Sequence, residues 1–113
     1  MKYAEKVYEV AKNAHAGQVD KAGKDYINHP CAVVDMMFSD MYKAVAYLHD
    51  VVEYTKIMLQ DLSNIFPKEI VDAVEAITKR NGESYDDYIL RVSKNDIAKK
   101  VKIADMKHNS LVI

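Results

Sequence analysis

The amino-acid sequence predicts an all-α, single-domain helical bundle of six or seven helices. Apolar residues recur at three- and four-residue spacing along most of the chain, the signature of helices with one buried face. No segment alternates apolar and polar residues between hairpin turns, so no strand is predicted. The 113 residues are 50% hydrophobic and 29% charged, with three glycines and two prolines, which excludes a disordered tail. A chain of this length buries roughly two-thirds of its unfolded surface, enough for one core and one domain over residues 1–113.

The first helix is expected over 3–15, where Tyr3, Val7, Val10 and Ala14 form a stripe among Glu5, Lys6, Glu9 and Lys12, and Gly17 ends it. The stretch 17–25, with two glycines and mixed charges, reads as a loop. Pro30 fits the first turn of a second helix running to about Phe38, because the N–H that proline lacks has no partner there anyway. Ala32, Val33, Met36 and Met37 are its candidate core residues. Asp40 is the expected cap of a helix over 41–54 with Met41, Val45, Leu48 and Val52 inward. A short helix near 59–66 and a longer one over 67–79, opened by Pro67 and Glu69, come next, stopped by Asn81-Gly82. Ser84 starts a helix through Val92, and Asn95 caps the last one, from Asp96 to about Asn109.

Sixteen basic residues against seventeen acidic ones leave a net charge of -1, so no global positive field exists to hold nucleic acid or an anionic membrane. Phosphate recognition, if the chain performs it, must be local. No apolar run approaches the roughly 18 residues of a membrane span, and the charged start does not resemble a signal peptide. Cys31 is the single cysteine, which excludes an internal disulfide and suits a reducing, cytoplasmic setting. Oligomeric state is not legible; Met36, Met37 and Met41 are expected in the core.

Chemistry concentrates at His49-Asp50. Adjacent helical residues diverge by about 100° around the axis, so the pair converges on one ion only off the helix edge, with further ligands from elsewhere. His29 beside Pro30, and Asp105 within Val101-Lys102-Ile103-Ala104-Asp105-Met106, are the best candidates. Two imidazoles and two carboxylates suit manganese, iron, zinc or magnesium, and leave positions open for water and a phosphate oxygen. Asp50 and Asp105 both sit in apolar sequence, where an unpaired charge is costly and a cation removes the cost. Glu53, on the same helix face as His49 and Asp50, is a candidate general acid or base. Asn109, four residues after Asp105, is placed to bind a substrate hydroxyl or phosphate oxygen. His108 is expected to face solvent, and His15 to brace the 17–25 loop.

Five segments in order, Ala14-His15-Ala16-Gly17-Gln18, Tyr26-Ile27-Asn28-His29-Pro30, Leu48-His49-Asp50-Val51-Val52-Glu53, Ala76-Ile77-Thr78-Lys79 and Lys102-Ile103-Ala104-Asp105 through Asn109, resemble the HD-domain metal-dependent phosphohydrolases. The resemblance is to the RelA/SpoT-type branch, the small alarmone hydrolases included, which removes the 3'-pyrophosphate from ppGpp and pppGpp. It implies that His29, His49, Asp50 and Asp105 ligate a catalytic ion, commonly manganese (Mn2+). It further implies that Glu53 helps activate water and that Asn109 touches a ppGpp-like nucleotide. Lys21 is the candidate substrate-binding cation in the loop, with Lys24 as a second source of local positive charge.

Two positions depart from the branch. Tyr54 stands where an aspartate usually follows the glutamate, and Asp20 where an arginine usually stacks on guanine. A phenol with a reference pKa of about 10 is a poor substitute for a carboxylate at neutral pH, and an aspartate repels phosphate. The expectation is an intact metal site with impaired or altered turnover, the alternative being a catalytically degenerate module that binds metal and nucleotide. Domains of the branch ordinarily continue beyond the equivalent of Asn109, so the sequence reads as a minimal or C-terminally truncated version.

Overall fold

The computed structural model describes residues 4–20 and 22–111, and the side chains of 6–20 and 22–109. It contains α1 (Ala4–Ala14), α2 (Asn28–Asp35), α3 (Asp40–Leu48), α4 (Val51–Tyr54), α5 (Leu59–Ser63), α6 (Lys68–Ile77), α7 (Tyr85–Ser93) and α8 (Asp96–Leu111). These occupy the seven places predicted, with the 41–54 segment divided into α3 and α4. Among the described residues no strand occurs; an isolated antiparallel bridge between Val19 and Asp25 pinches the loop after α1.

The expected apolar stripes supply most of the core, except in α2, where Val34 rather than Ala32 is buried with Val33 and Met37 because the helix turns that face inward. Val7 and Ala11 of α1 are buried, with Val10 and Ala14 partly so; Tyr3 lies outside the described residues. Gly17 ends the helix region in a left-handed conformation, φ 83°, which only glycine adopts without a steric cost. Helix α3 is central: Ala44, Val45, Ala46 and Leu48 are buried, and it packs on α1, α2, α6 and α8. Helix α8 packs on α2, α3, α6 and α7 and buries Ala98, Val101 and Ala104. The site residues hang from α2, the end of α3 and α8, three helices that pack on one another.

Helix α5 ends at Ser63 and α6 at Ile77, short of the expected 66 and 79, and two boundaries nearer the site also differ. Helix α2 stops at Asp35, three residues early, because Met36 N–H and Met37 N–H bond to carbonyls only three residues back, at 3.0 and 2.9 Å, tightening the last turn. Met37 turns inward, whereas Phe38 is 99% exposed. The cap of α3 is Ser39 rather than Asp40: its extended backbone aims the hydroxyl to accept from Tyr42 N–H, and Asp40 falls in the first turn. Ser84 and Asn95 cap α7 and α8 as expected, accepting from Asp87 N–H and Ala98 N–H.

The turn between α6 and α7 is held by Arg91. Its guanidinium donates to the Glu75, Ala76 and Thr78 carbonyls and to both Glu83 carboxylate oxygens. This ties down the end of α6 just before Lys79, a fixed fork against several acceptors. The Arg91 hydrogen bond, with help from Arg80 N–H, holds the Glu83 carboxyl down at about 2, below its ordinary 4.5. A carboxyl depressed by folding stabilises fully above its unfolded pKa, and that stabilisation is lost as pH falls through 4.5 toward about 2. Thermal melts of the wild type should lose stability over this window, and Glu83→Gln should lack that component. Parallel acid limbs in the two proteins would contradict the clamp.

Candidate metal centre

His29 comes from the first turn of α2, His49 and Asp50 from the junction of α3 and α4, and Asp105 from α8. Each offers one ligand atom, and the four atoms all lie within 4.8 Å of one another. Asp105 Oδ1 is 2.7 Å from His29 Nε2 and 3.2 Å from His49 Nε2. Asp50 Oδ2 is 3.1 Å from His49 Nε2 and 3.6 Å from His29 Nε2. His49, Asp50 and Asp105 are only 2, 8 and 6% exposed.

The break between α3 and α4 explains how adjacent residues converge. His49 Nδ1 takes the Ala46 carbonyl at 2.6 Å, and Asp50 shifts to φ -105°, ψ -3°, in the bridge region. On a continuous helix the two side chains would diverge by about 100°. Here they meet at Asp50 Oδ2, and α4 resumes with Tyr54 N–H donating to the Asp50 carbonyl.

Because His49 donates through Nδ1, its Nε2 is the nitrogen facing both carboxylates. That position requires either a proton or a cation. With a proton, His49 is an imidazolium: burial opposes the charge, yet Asp50 and Asp105 outweigh it and push the pKa up to about 10. Burial likewise works against the Asp105 carboxylate, but His29 and His49 hold its carboxyl well below the usual range. A divalent ion supplies the same compensation with two nitrogen and two oxygen ligands, so the donor set fits one. The Ala46 carbonyl would then orient the His49 imidazole from behind.

The cluster forms one wall of a cleft of about 270 Å³, lined also by Glu53, Tyr54, Lys79, Lys102 and Asn109. Glu53 is exposed and makes no hydrogen bond among the described residues. Burial and the Asp50 charge raise its pKa, partly offset by Lys102 and Lys79, which favours a carboxyl that exchanges protons nearer neutrality. Asn109 faces the cleft as its spacing from Asp105 predicts. Lys21 lies outside the described residues. Lys24 is not part of the cleft wall; the lysines there are Lys79 and Lys102. Asp20 organises the loop, its carboxylate accepting from Ala22 N–H at 2.8 Å and Lys24 N–H at 3.0 Å. His15 braces that loop as expected, bonding Gln18 at 2.9 Å, while Gln18 Nε2 donates to the Tyr54 carbonyl.

Sequence reasoning missed three residues. Tyr26 donates its hydroxyl to Asp50 Oδ2 at 2.7 Å, and burial together with Asp50 raises its pKa, keeping it a donor. Lys102 Nζ donates to Asp105 Oδ2 at 3.2 Å. His108, expected to face solvent, stacks on His29 at 4.8 Å with the two Nδ1 atoms 2.6 Å apart, one donating and the other accepting. Lys102 and His108 each stand three residues from Asp105, one helix face, so the spacing was a usable signal.

An all-helical domain carrying such a cluster defines a recognised class: residues 7–108 match the HD domain family, and the chain belongs to it. Within that family it is 29% identical over 124 aligned residues to the bifunctional (p)ppGpp synthase/hydrolase SpoT of Escherichia coli K12, covering 96% of this chain and 18% of that protein. It is 32% identical over 118 residues to the probable GTP pyrophosphokinase of Mycobacterium leprae, covering 93% and 15%. The chain thus spans less than a fifth of the length of these curated relatives. In fold it is similar to a metazoan ortholog of SpoT that hydrolyses ppGpp, with a TM-score of 0.77 at 24% identity over 89% of this chain and 64% of the other.

His49 Nε2 faces both carboxylates, so a divalent ion held by the cluster would displace its proton. Uptake should release about one proton, and apparent Mn2+ affinity should rise about tenfold per pH unit from neutrality toward the His49 pKa of about 10. Calorimetry in two buffers of different ionisation enthalpy reads this directly; binding without proton release would contradict it.

Proposed function

We propose that the protein is a Mn2+-dependent phosphohydrolase that releases pyrophosphate from a ppGpp-like nucleotide. The observation that carries this reading is the four-donor cluster, two imidazoles and two carboxylates within 4.8 Å, set in a cleft that also holds Lys79 and Lys102. Sequence similarity to (p)ppGpp hydrolases over nearly the whole chain supports the substrate class. A bound ion would lower the pKa of a water and neutralise phosphate charge. His29, His49, Asp50 and Asp105 are the proposed ligands. Glu53, beside them and raised in pKa, is the proposed proton acceptor from the attacking water. Lys79, Lys102 and Asn109 are proposed to hold the phosphates, with Lys21 as a further loop cation. The balanced total charge makes such local cations necessary. A reducing cytoplasm is the proposed setting, consistent with the free Cys31 and with no described helix being long and apolar enough to cross a membrane.

A second reading, a metal- and nucleotide-binding module without turnover, is favoured by Tyr54. Its phenol stands at the cleft, 54% exposed, where the resembling branch places a carboxylate.

With Mn2+ present, the protein should release pyrophosphate from ppGpp, and Asp105→Ala should abolish both ion binding and turnover. Glu53→Gln should keep ion binding and lower kcat by about 10²- to 10⁴-fold, the range for loss of a general base. Tyr54→Asp should raise kcat. No release by the wild type, with strong release by Tyr54→Asp, would establish the binding-module reading instead. No Mn2+ bound by the wild type would contradict both.

A further inference from the structure

Four tyrosines line the cleft beside the cation cluster, and two of them are already engaged. Tyr26 donates its hydroxyl to Asp50, and Tyr88 donates to the Ile77 carbonyl. Tyr54 and Tyr85 differ: they are 54 and 55% exposed, and neither hydroxyl has a hydrogen-bond partner among the described residues. Each open ring leans on an engaged one, Tyr54 on Tyr26 at 6.3 Å and Tyr85 edge-on to Tyr88 at 6.0 Å. Tyr85 is the more firmly backed. It is the first residue of α7, after the Ser84 cap, on the turn that Arg91 and Glu83 clamp. Tyr88 behind it is buried, with Lys102 Nζ over its ring at 5.3 Å and the Arg91 guanidinium at 5.9 Å. A ring held in this way loses little freedom when a flat group settles on it, so binding there carries a small entropic cost.

We infer that Tyr85 is the platform on which the base of the nucleotide stacks, and so the residue by which the cleft selects a nucleotide over phosphate alone. The inference rests on the reading of the cleft as a nucleotide phosphohydrolase site. Two chemistries meet there. The cation cluster, Lys79 and Lys102 suit phosphate, whereas the exposed phenol offers a flat apolar face on which any base can lie. Lys102 sets the spacing between the two. Its ammonium donates to Asp105 Oδ2 at 3.2 Å and lies over the Tyr88 ring, so a single ring separates Tyr85 from a lysine proposed to hold the phosphates. A nucleotide spans such a gap, because one sugar joins its base to its phosphates. Tyr54 is less suited to the role: it follows Glu53 and rests on Tyr26, which touches Asp50, so its ring stands at the reacting end of the cleft.

The test separates the two halves of a ppGpp-like substrate: guanosine diphosphate carries the base, and inorganic pyrophosphate carries phosphate alone. Titrating each into the full chain at saturating Mn2+ reads affinity whether or not the protein turns over, so a failure of hydrolysis and a failure of stacking are distinguished. Tyr85→Ala should weaken guanosine diphosphate binding about 5- to 150-fold, the range for losing one stacked ring, and leave pyrophosphate and Mn2+ affinity unchanged. Tyr85→Phe keeps the face and removes only the hydroxyl, so it should bind guanosine diphosphate like the wild type. Equal weakening of both ligands by Tyr85→Ala would mark a structural role and overturn the proposal. It is also overturned if Tyr85→Ala leaves guanosine diphosphate affinity intact, if Tyr85→Phe loses as much as Tyr85→Ala, or if the wild type binds no guanosine diphosphate.

Discussion

Two carboxylates, Asp50 and Asp105, sit inside a helical core, and much of the molecule is arranged around keeping them charged there. An isolated buried carboxylate costs several kcal/mol even after relaxation, far more than any single apolar contact returns. The chain meets that cost with four side chains from separate places. His29 and His49 face the pair, Tyr26 donates to Asp50, and Lys102 donates to Asp105. The Ala46 carbonyl and His108 then fix the rear nitrogens of the two imidazoles. Removing one carboxylate would leave the remaining partners unsatisfied, so the cluster behaves as a unit.

The same requirement shapes the backbone. A continuous helix over 41–54 would satisfy every hydrogen bond locally and bury the same apolar stripe. It would also send His49 and Asp50 apart, and the break at their junction exchanges helical continuity for convergence. Helices α3 and α8 each serve as core and as site: one face of α8 buries Ala98 and Val101, another presents Lys102, Asp105 and Asn109 to the cleft. The near-zero net charge is mirrored in the cleft, where Lys79 and Lys102 stand among Asp50, Glu53 and Asp105.

Much of this was legible in the residues. Helical spacing located every helical segment but not the break that divides 41–54 into α3 and α4, and Ser84, Asn95 and Gly17 acted as sequence rules say they should. The two acids stood out because charge in apolar sequence demands a partner, and His49 beside Asp50 and His29 beside Pro30 completed the candidate set that the family resemblance implies. What escaped was local geometry. Ser39 and Asp40 are both competent caps, and only the extended backbone at Ser39 decides between them. Phe38 continued an apolar run, so nothing in its pattern announced that α2 would tighten and stop before it. His108 looked like a surface residue because its partner, His29, is 79 positions away, a pairing set by tertiary packing.

The central claim is that the four-donor cluster holds one divalent cation. The direct test is anomalous diffraction at the manganese edge from crystals of the full chain grown with Mn2+. The account predicts a single strong peak bounded by His29 Nε2, His49 Nε2, Asp50 Oδ2 and Asp105 Oδ1, with the Ala46 carbonyl still on His49 Nδ1. A cluster without a peak, its imidazoles hydrogen-bonded to the two carboxylates at saturating Mn2+, would contradict it.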